Sequence, residues 1–173
     1  MNKTTDQLVK DQITLLIKKV KKKPDADIFY QLGWCYSCLK KIDEAIEAFN
    51  QGLRINPSHS MIYYRLGNVY RWQGKNTKAI EAYTKAIEAN ANNEMVYRGL
   101  GIAYFKEGEY GSGLEAINRG LSVFPKSKQL RDLISIVVNE DEECPITIEG
   151  ALPNECPIGY SITKQEWILK NDK

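Results

Sequence analysis

The chain has 173 residues, 43% hydrophobic and 27% charged, with a formal net charge of +2, the profile of a soluble domain with or without a tail. No apolar run approaches the ~18 residues that span a membrane, and the polar start MNKTTDQ lacks the apolar core of a secretory signal, so a cytoplasmic setting with four reduced cysteines is expected. The charge is uneven: residues 1–139 carry 21 Lys/Arg against 14 Asp/Glu, and residues 140–173 carry 3 Lys against 8 Asp/Glu. A basic body therefore precedes an acidic tail, and the body attracts either that tail or an acidic partner.

The first segment, 1–25, predicts a helix over 6–20 with Leu8, Leu15, Leu16 and Val20 at roughly helical spacing. This helix is expected to pack on the segment that begins at residue 26. The run KKVKKKP (18–24) reads as a solvated helix C-terminus whose lysines complement the dipole. It does not form the clustered basic face that nucleic acid requires.

Residues 26–127 align with themselves at an offset of 34 in three ungapped units, 26–59, 60–93 and 94–127. Each unit predicts two helices. The first carries an aromatic residue, Leu-Gly and Tyr on one face: Phe29, Leu32-Gly33 and Tyr36; Tyr63, Leu66-Gly67 and Tyr70; Tyr97, Leu100-Gly101 and Tyr104. A glycine inside a helix costs about 1 kcal/mol relative to alanine, so its recurrence predicts a close approach by a neighbouring helix. Turns come next, at KKID, GKNT and GEYG. The second helix carries Ala45, Phe49 and Gly52, then Ala79, Tyr83 and Ala86. The small residues predict tight packing, with the aromatic filling the gap. Pro57 and Pro125 close the first and third units. In the third, Gly113 and Ile117 stand where alanine and an aromatic are usual, and Gly111 with Gly113 predicts a weaker unit. Residues 128–139, with Leu130, Leu133, Ile134, Val137 and Val138, predict a capping helix.

The period and the aromatic-Leu-Gly-Tyr-Ala-aromatic-Ala-Pro pattern resemble the tetratricopeptide repeat (TPR) over 26–127. The resemblance implies an all-α solenoid of antiparallel helix pairs, a right-handed superhelix whose concave face binds extended peptides. It also implies that positions 2, 5, 9, 12 and 13 of each unit face that groove. The expected groove residues are Tyr30, Trp34, Tyr64, Asn68, Arg71, Trp72, Arg98 and Phe105, alongside Asp27, Cys38, Met61, Met95 and Ile102. Aromatic and arginine side chains are the types that carry binding energy, and the Asn68 amide can donate to and accept from a peptide backbone at once. Tyr30 and Trp34 read equally well as packing against the N-terminal helix. One TPR subclass clamps a C-terminal carboxylate with Lys, Asn and Arg residues. Tyr30, Trp34, Arg65, Met95 and Gly99 stand at the matching places, so that clamp is not expected here.

Cys35 and Cys38 form a C-x-x-C. Cys35 is level with Val69 and Ala103, which favours a small buried side chain. Cys38 is level with Trp72 and Lys106, at the groove or its rim. A reactive pair needs a lowered thiol pKa, and the second half of a helix opposes the thiolate. A zinc site would draw on Cys144 and Cys156, which form no second C-x-x-C. Structural spacing is therefore read ahead of redox or metal roles. The single histidine, His59, reads as a surface turn residue, and no Ser-His-Asp set, P-loop or HExxH occurs. No catalytic residue, metal or cofactor is expected.

The tail, 140–173, opens with EDEE, then alternates at Ile146 and Ile148 and at Ile158, Tyr160 and Ile162. Thr163 and Glu166 fit a capping box before Trp167. A small β-β-α unit is expected, with Ile146, Tyr160 and Trp167 as its contact surface. Cys144-Pro145-Ile146-Thr147 and Gly159-Tyr160-Ser161-Ile162 resemble the first half of a U-box, which implies contact of Ile146 with a ubiquitin-conjugating enzyme. The closing elements of that family would lie beyond Lys173. The sequence is thus read as a non-catalytic adaptor, scaffold or assembly factor that binds a protein or peptide, with no nucleic-acid or membrane partner. A ubiquitin-ligase-like adaptor and a small secretion-type chaperone are the alternatives, and docking of the tail on the body is a further expectation.

Overall fold

A computed structural model describes residues 4–138, and among these residues there are eight α-helices and no strand. They are α1 (Thr5–Lys22), α2 (Ala26–Cys38), α3 (Ile42–Ile55), α4 (Ser60–Trp72), α5 (Asn76–Glu88), α6 (Glu94–Lys106), α7 (Tyr110–Val123) and α8 (Lys128–Val138). The tail residues Ile146, Tyr160 and Trp167, the expected β-β-α unit and the U-box resemblance lie outside the described residues.

Side-chain caps mark the chain's entry into most of these helices. Thr4, Asp25, His59, Asn93 and Ser127 accept from backbone N–H groups at the starts of α1, α2, α4, α6 and α8. The helices α3, α5 and α7 have no such cap. They come after three-residue turns that pass through the left-handed region at Lys40 (φ 57°), Gly74 (φ 71°) and Gly108 (φ 78°). Two of the three turns use glycine, as that conformation prefers, and the first uses lysine. Connections this short lay consecutive helices side by side in antiparallel pairs.

The helices α2, α4, α6 and α8 start 34 residues apart and form a continuous inner row, each touching the next. The recurring glycines of this row meet the second helices. A methyl group on Gly33 would lie 2.5 Å from the Phe49 ring, one on Gly67 2.5 Å from the Tyr83 ring, and one on Gly101 2.7 Å from Ile117. The close approach expected from the sequence is therefore present in all three units. At Gly113 the Phe105 ring occupies the space where a methyl group would sit.

The ends differ from expectation in detail. In α1 the packed face is Val9, Ile13, Leu16 and Val20, against Phe29 and Leu32 of α2. Leu8 and Leu15, expected on that face, are 55% and 47% exposed. The spacing 9, 13, 16, 20 fits the helical period more closely than one that includes 8 and 15. At the other end α8 buries Leu130 and Leu133 against Tyr97, Ile102 and Ile117. It stands where the first helix of a fourth unit would stand, and α1 packs on α2 as α5 packs on α6. The hydrophobic clusters run from Val9 to Ile134, so the helices close their cores on one another.

Candidate functional site: the face of the inner helix row

The first part of this face joins α2 to α4. Trp34 is 45% exposed. The Arg65 guanidinium lies 4.0 Å from the centre of its ring and 5.9 Å from that of Tyr30. Arg65 Nε and Nη2 also donate to the Tyr30 hydroxyl, both at 3.4 Å. Such a contact contributes about 0.5–2 kcal/mol, more as water is excluded. It holds the indole edge-on to Tyr30, with ring centres 6.4 Å apart.

Tyr30 stacks on His59 at 5.6 Å. His59 is not a simple surface turn residue, because its side chain is only 12% exposed. Its Nδ1 accepts from the Ile62 N–H at 3.3 Å, and its Nε2 donates to Asp27 Oδ1 at 2.9 Å. The neutral Nε2–H tautomer satisfies both bonds, so the ring caps α4 and ties its start to α2.

The second part lies between α4 and α6. The Tyr83 ring rises from α5 between Gly67 and Gly99, and a methyl group on Gly99 would meet it at 2.7 Å. Its hydroxyl donates to Asn68 Oδ1 at 2.7 Å. The carbonyl oxygen of Asn68 is thereby held by the wall of the face.

Burial pushes the Tyr83 phenol up to about 12, while the nearby Arg71 and, more weakly, Arg98 charges pull the other way. Arg71 is 8% exposed, and its Nε has no hydrogen-bond partner. Tyr64, whose ring centre is 6.3 Å from that of Tyr83, is also buried.

The expected groove residues thus divide. Tyr30, Asn68, Trp72 and Arg98 are half-buried and Trp34 is exposed. Tyr64 and Arg71 form the floor beneath them. Phe105 is 3% exposed and Ile102 2%, so the expectation that they face an open groove is corrected. Ile102 packs in the cluster that α8 closes, and Phe105 faces α7 at Gly113 and Tyr110. The accessible face is therefore that of α2, α4 and the first half of α6.

The sequence reading missed Arg65, His59 as a cap, and Tyr83. The signal for Tyr83 was present: a hydroxyl at a buried position where the other units carry Phe49 and Ile117.

Cys35 is half-buried against the α1–α2 cluster and Cys38 is exposed, and the two are unbridged. Burial first, and the neighbouring Cys38 second, push the Cys35 thiol up, the opposite of what a reactive thiolate needs. Among the described residues no three His, Cys, Asp or Glu side chains gather as a metal site. No described helix is long and apolar enough to cross a membrane.

Residues 26–59 match the family model described as tetratricopeptide repeat, and residues 67–108 match one described as TPR repeat. Two crystal structures of MamA align over 69% of this chain at 30% identity, with TM-scores of 0.64 and 0.65. The alignments cover 66% and 70% of those chains, so this chain spans about two thirds of their length. YrrB, described as a TPR protein with an unusual peptide-binding site, aligns over 70% of this chain and 63% of its own, at 20% identity and a TM-score of 0.64. No curated protein sequence matches the chain.

Proposed function

The chain belongs to the tetratricopeptide repeat family and is a protein-interaction module, and from that premise we propose that it captures an extended segment of a partner protein along α2, α4 and the start of α6. The observation that carries this reading is the Trp34–Arg65 stack beside Asn68. An exposed indole is held rigid at 4.0 Å from a guanidinium, on the same face as an amide whose oxygen is fixed by the Tyr83 hydroxyl. Rigid aromatic and arginine groups lose little entropy on binding. In this reading the protein is a non-catalytic adaptor, scaffold or assembly factor of the cytoplasm, where the thiols of Cys35 and Cys38 stay reduced.

The charge of the face favours an acidic segment. The helix α4 contains Arg65 and Arg71 and no Asp or Glu, α6 contributes Arg98 with Glu94 in its first turn, and the one acidic residue of α2, Asp27, is bonded to His59. Since residues 140–143 read Glu-Asp-Glu-Glu, the same charge supports a second reading. The chain's own tail docks on this face and competes with partners in trans.

Affinity capture from the native cytosol tests both. Trp34→Ala and Asn68→Ala are expected to lose the captured proteins, while Trp34→Ala lowers stability by less than about 1 kcal/mol, as at an exposed position. Retention of every captured protein by both variants would refute the groove. A gain of partners by residues 1–139 over 1–173 is the expected signature of the docked tail, and identical capture by the two excludes it.

A further inference from the structure

We propose that the floor of this face holds a carboxylate subsite, formed by Arg71 with Arg98, Asn68 and Tyr83, which takes one Asp or Glu side chain of the bound segment. The proposal deepens the groove reading and rests on it. Arg71 is the starting point. A guanidinium stays charged in any folded protein, and a charge more than nine-tenths buried is costly unless it is paired. Arg71 is 8% exposed, and its Nε has no hydrogen-bond partner.

Among the described residues the ion pairs Lys41–Glu44, Arg54–Glu47 and His59–Asp27 do not involve Arg71. The helix that carries Arg71 has no acidic residue, and the interaction its guanidinium does make is with the neutral Tyr83 hydroxyl. The fold nevertheless invests structure around this charge. Gly67 and Gly99 leave room for the Tyr83 ring, and its hydroxyl holds the Asn68 oxygen, which fixes the amide. A carboxylate entering here meets the Arg71 fork and the Asn68 amide, both donors, with the Arg98 charge alongside. The geometry selects an acceptor-only, anionic group of modest size. It also differs from the C-terminal carboxylate clamp that this sequence does not match, because the donors come from α4 and α6 and not from all three units.

The test is the fluorescence anisotropy of labelled hexaglutamate at low salt, against the full chain and against residues 1–139, whose helices close their own cores. Saturable binding is expected, with no binding of hexaglutamine. Arg71→Gln and Arg98→Gln are each expected to weaken it at least about tenfold, the scale of one charged hydrogen bond. Lys10→Gln, on the exposed side of α1, should leave it within about twofold, since a remote surface charge contributes little. The melting temperature of each variant shows that it is folded.

Binding by 1–139 with silence of the full chain also supports the subsite, and identifies the tail carboxylates as its occupant in cis. Absence of binding by both chains overturns the proposal. So does equal binding by folded Arg71→Gln and Arg98→Gln, or displacement of the peptide by inorganic phosphate as effectively as by unlabelled hexaglutamate. The groove reading fails separately. If Trp34→Ala and Asn68→Ala retain every captured protein while hexaglutamate still depends on Arg71, the subsite stands and the groove does not.

Discussion

Lys40 shows how a single residue can depart from its repeat. It holds φ at 57°, in the place that Gly74 and Gly108 hold in the next two turns. A left-handed L-residue costs about 1–2 kcal/mol, against about 0.5–1 kcal/mol of entropy for glycine. Lys40→Gly is therefore expected to stabilise the protein by about 0.5–1 kcal/mol, raising the melting temperature by about 1–4 °C. An unchanged or lower melting temperature would show that the turn is not strained. This position was legible in the sequence, because KKID aligns with GKNT and GEYG. The capping role of His59 was not legible, since it depends on Asp27, 32 residues earlier, and on a ring stacked against Tyr30.

At the scale of elements, the junction of α4, α5 and α6 turns on one hydroxyl. Tyr83 is buried, and its phenol is pushed up to about 12 by that burial. The sign is set by which form the fold prefers. The neutral phenol is favoured, so its contribution is complete below the ordinary tyrosine pKa of about 10 and is lost as pH rises through about 12. Wild type is expected to lose stability over that window more steeply than Tyr83→Phe, which keeps the ring between Gly67 and Gly99. Urea titrations at a series of alkaline pH values measure the difference, and parallel profiles would remove the buried phenolate as the cause. The glycine–ring packing itself was readable from the repeat, since small and aromatic residues recur in register. The Tyr83–Asn68 bond was not, because the two residues lie on helices whose relative rotation only packing fixes.

Across the whole molecule, α8 decides how much of the inner face is available. Leu130 is fully buried against the α6–α7 pair. Leu130→Ala is expected to cost about 2–5 kcal/mol through the cavity it leaves, and to speed amide hydrogen exchange in α6 and α7 more than in α2 and α3, because each unit contacts only its neighbours. Uniform acceleration along the chain would instead indicate a single cooperative unit. Within the described residues the sequence alone determined the helices, the 34-residue period of 26–127 and the residue types that meet between them, because helical periodicity and small–aromatic complementarity are local and repeat in register. The tertiary structure alone decided which of the groove positions are open. Ile102 stands level with the exposed Trp34 and the half-buried Asn68, yet it is buried, and Phe105 is buried on the far side of the same helix row against α7. Their exposure depends on where α8 and α7 come to rest against α6, which is a property of packing between distant segments and leaves no periodic trace in the chain.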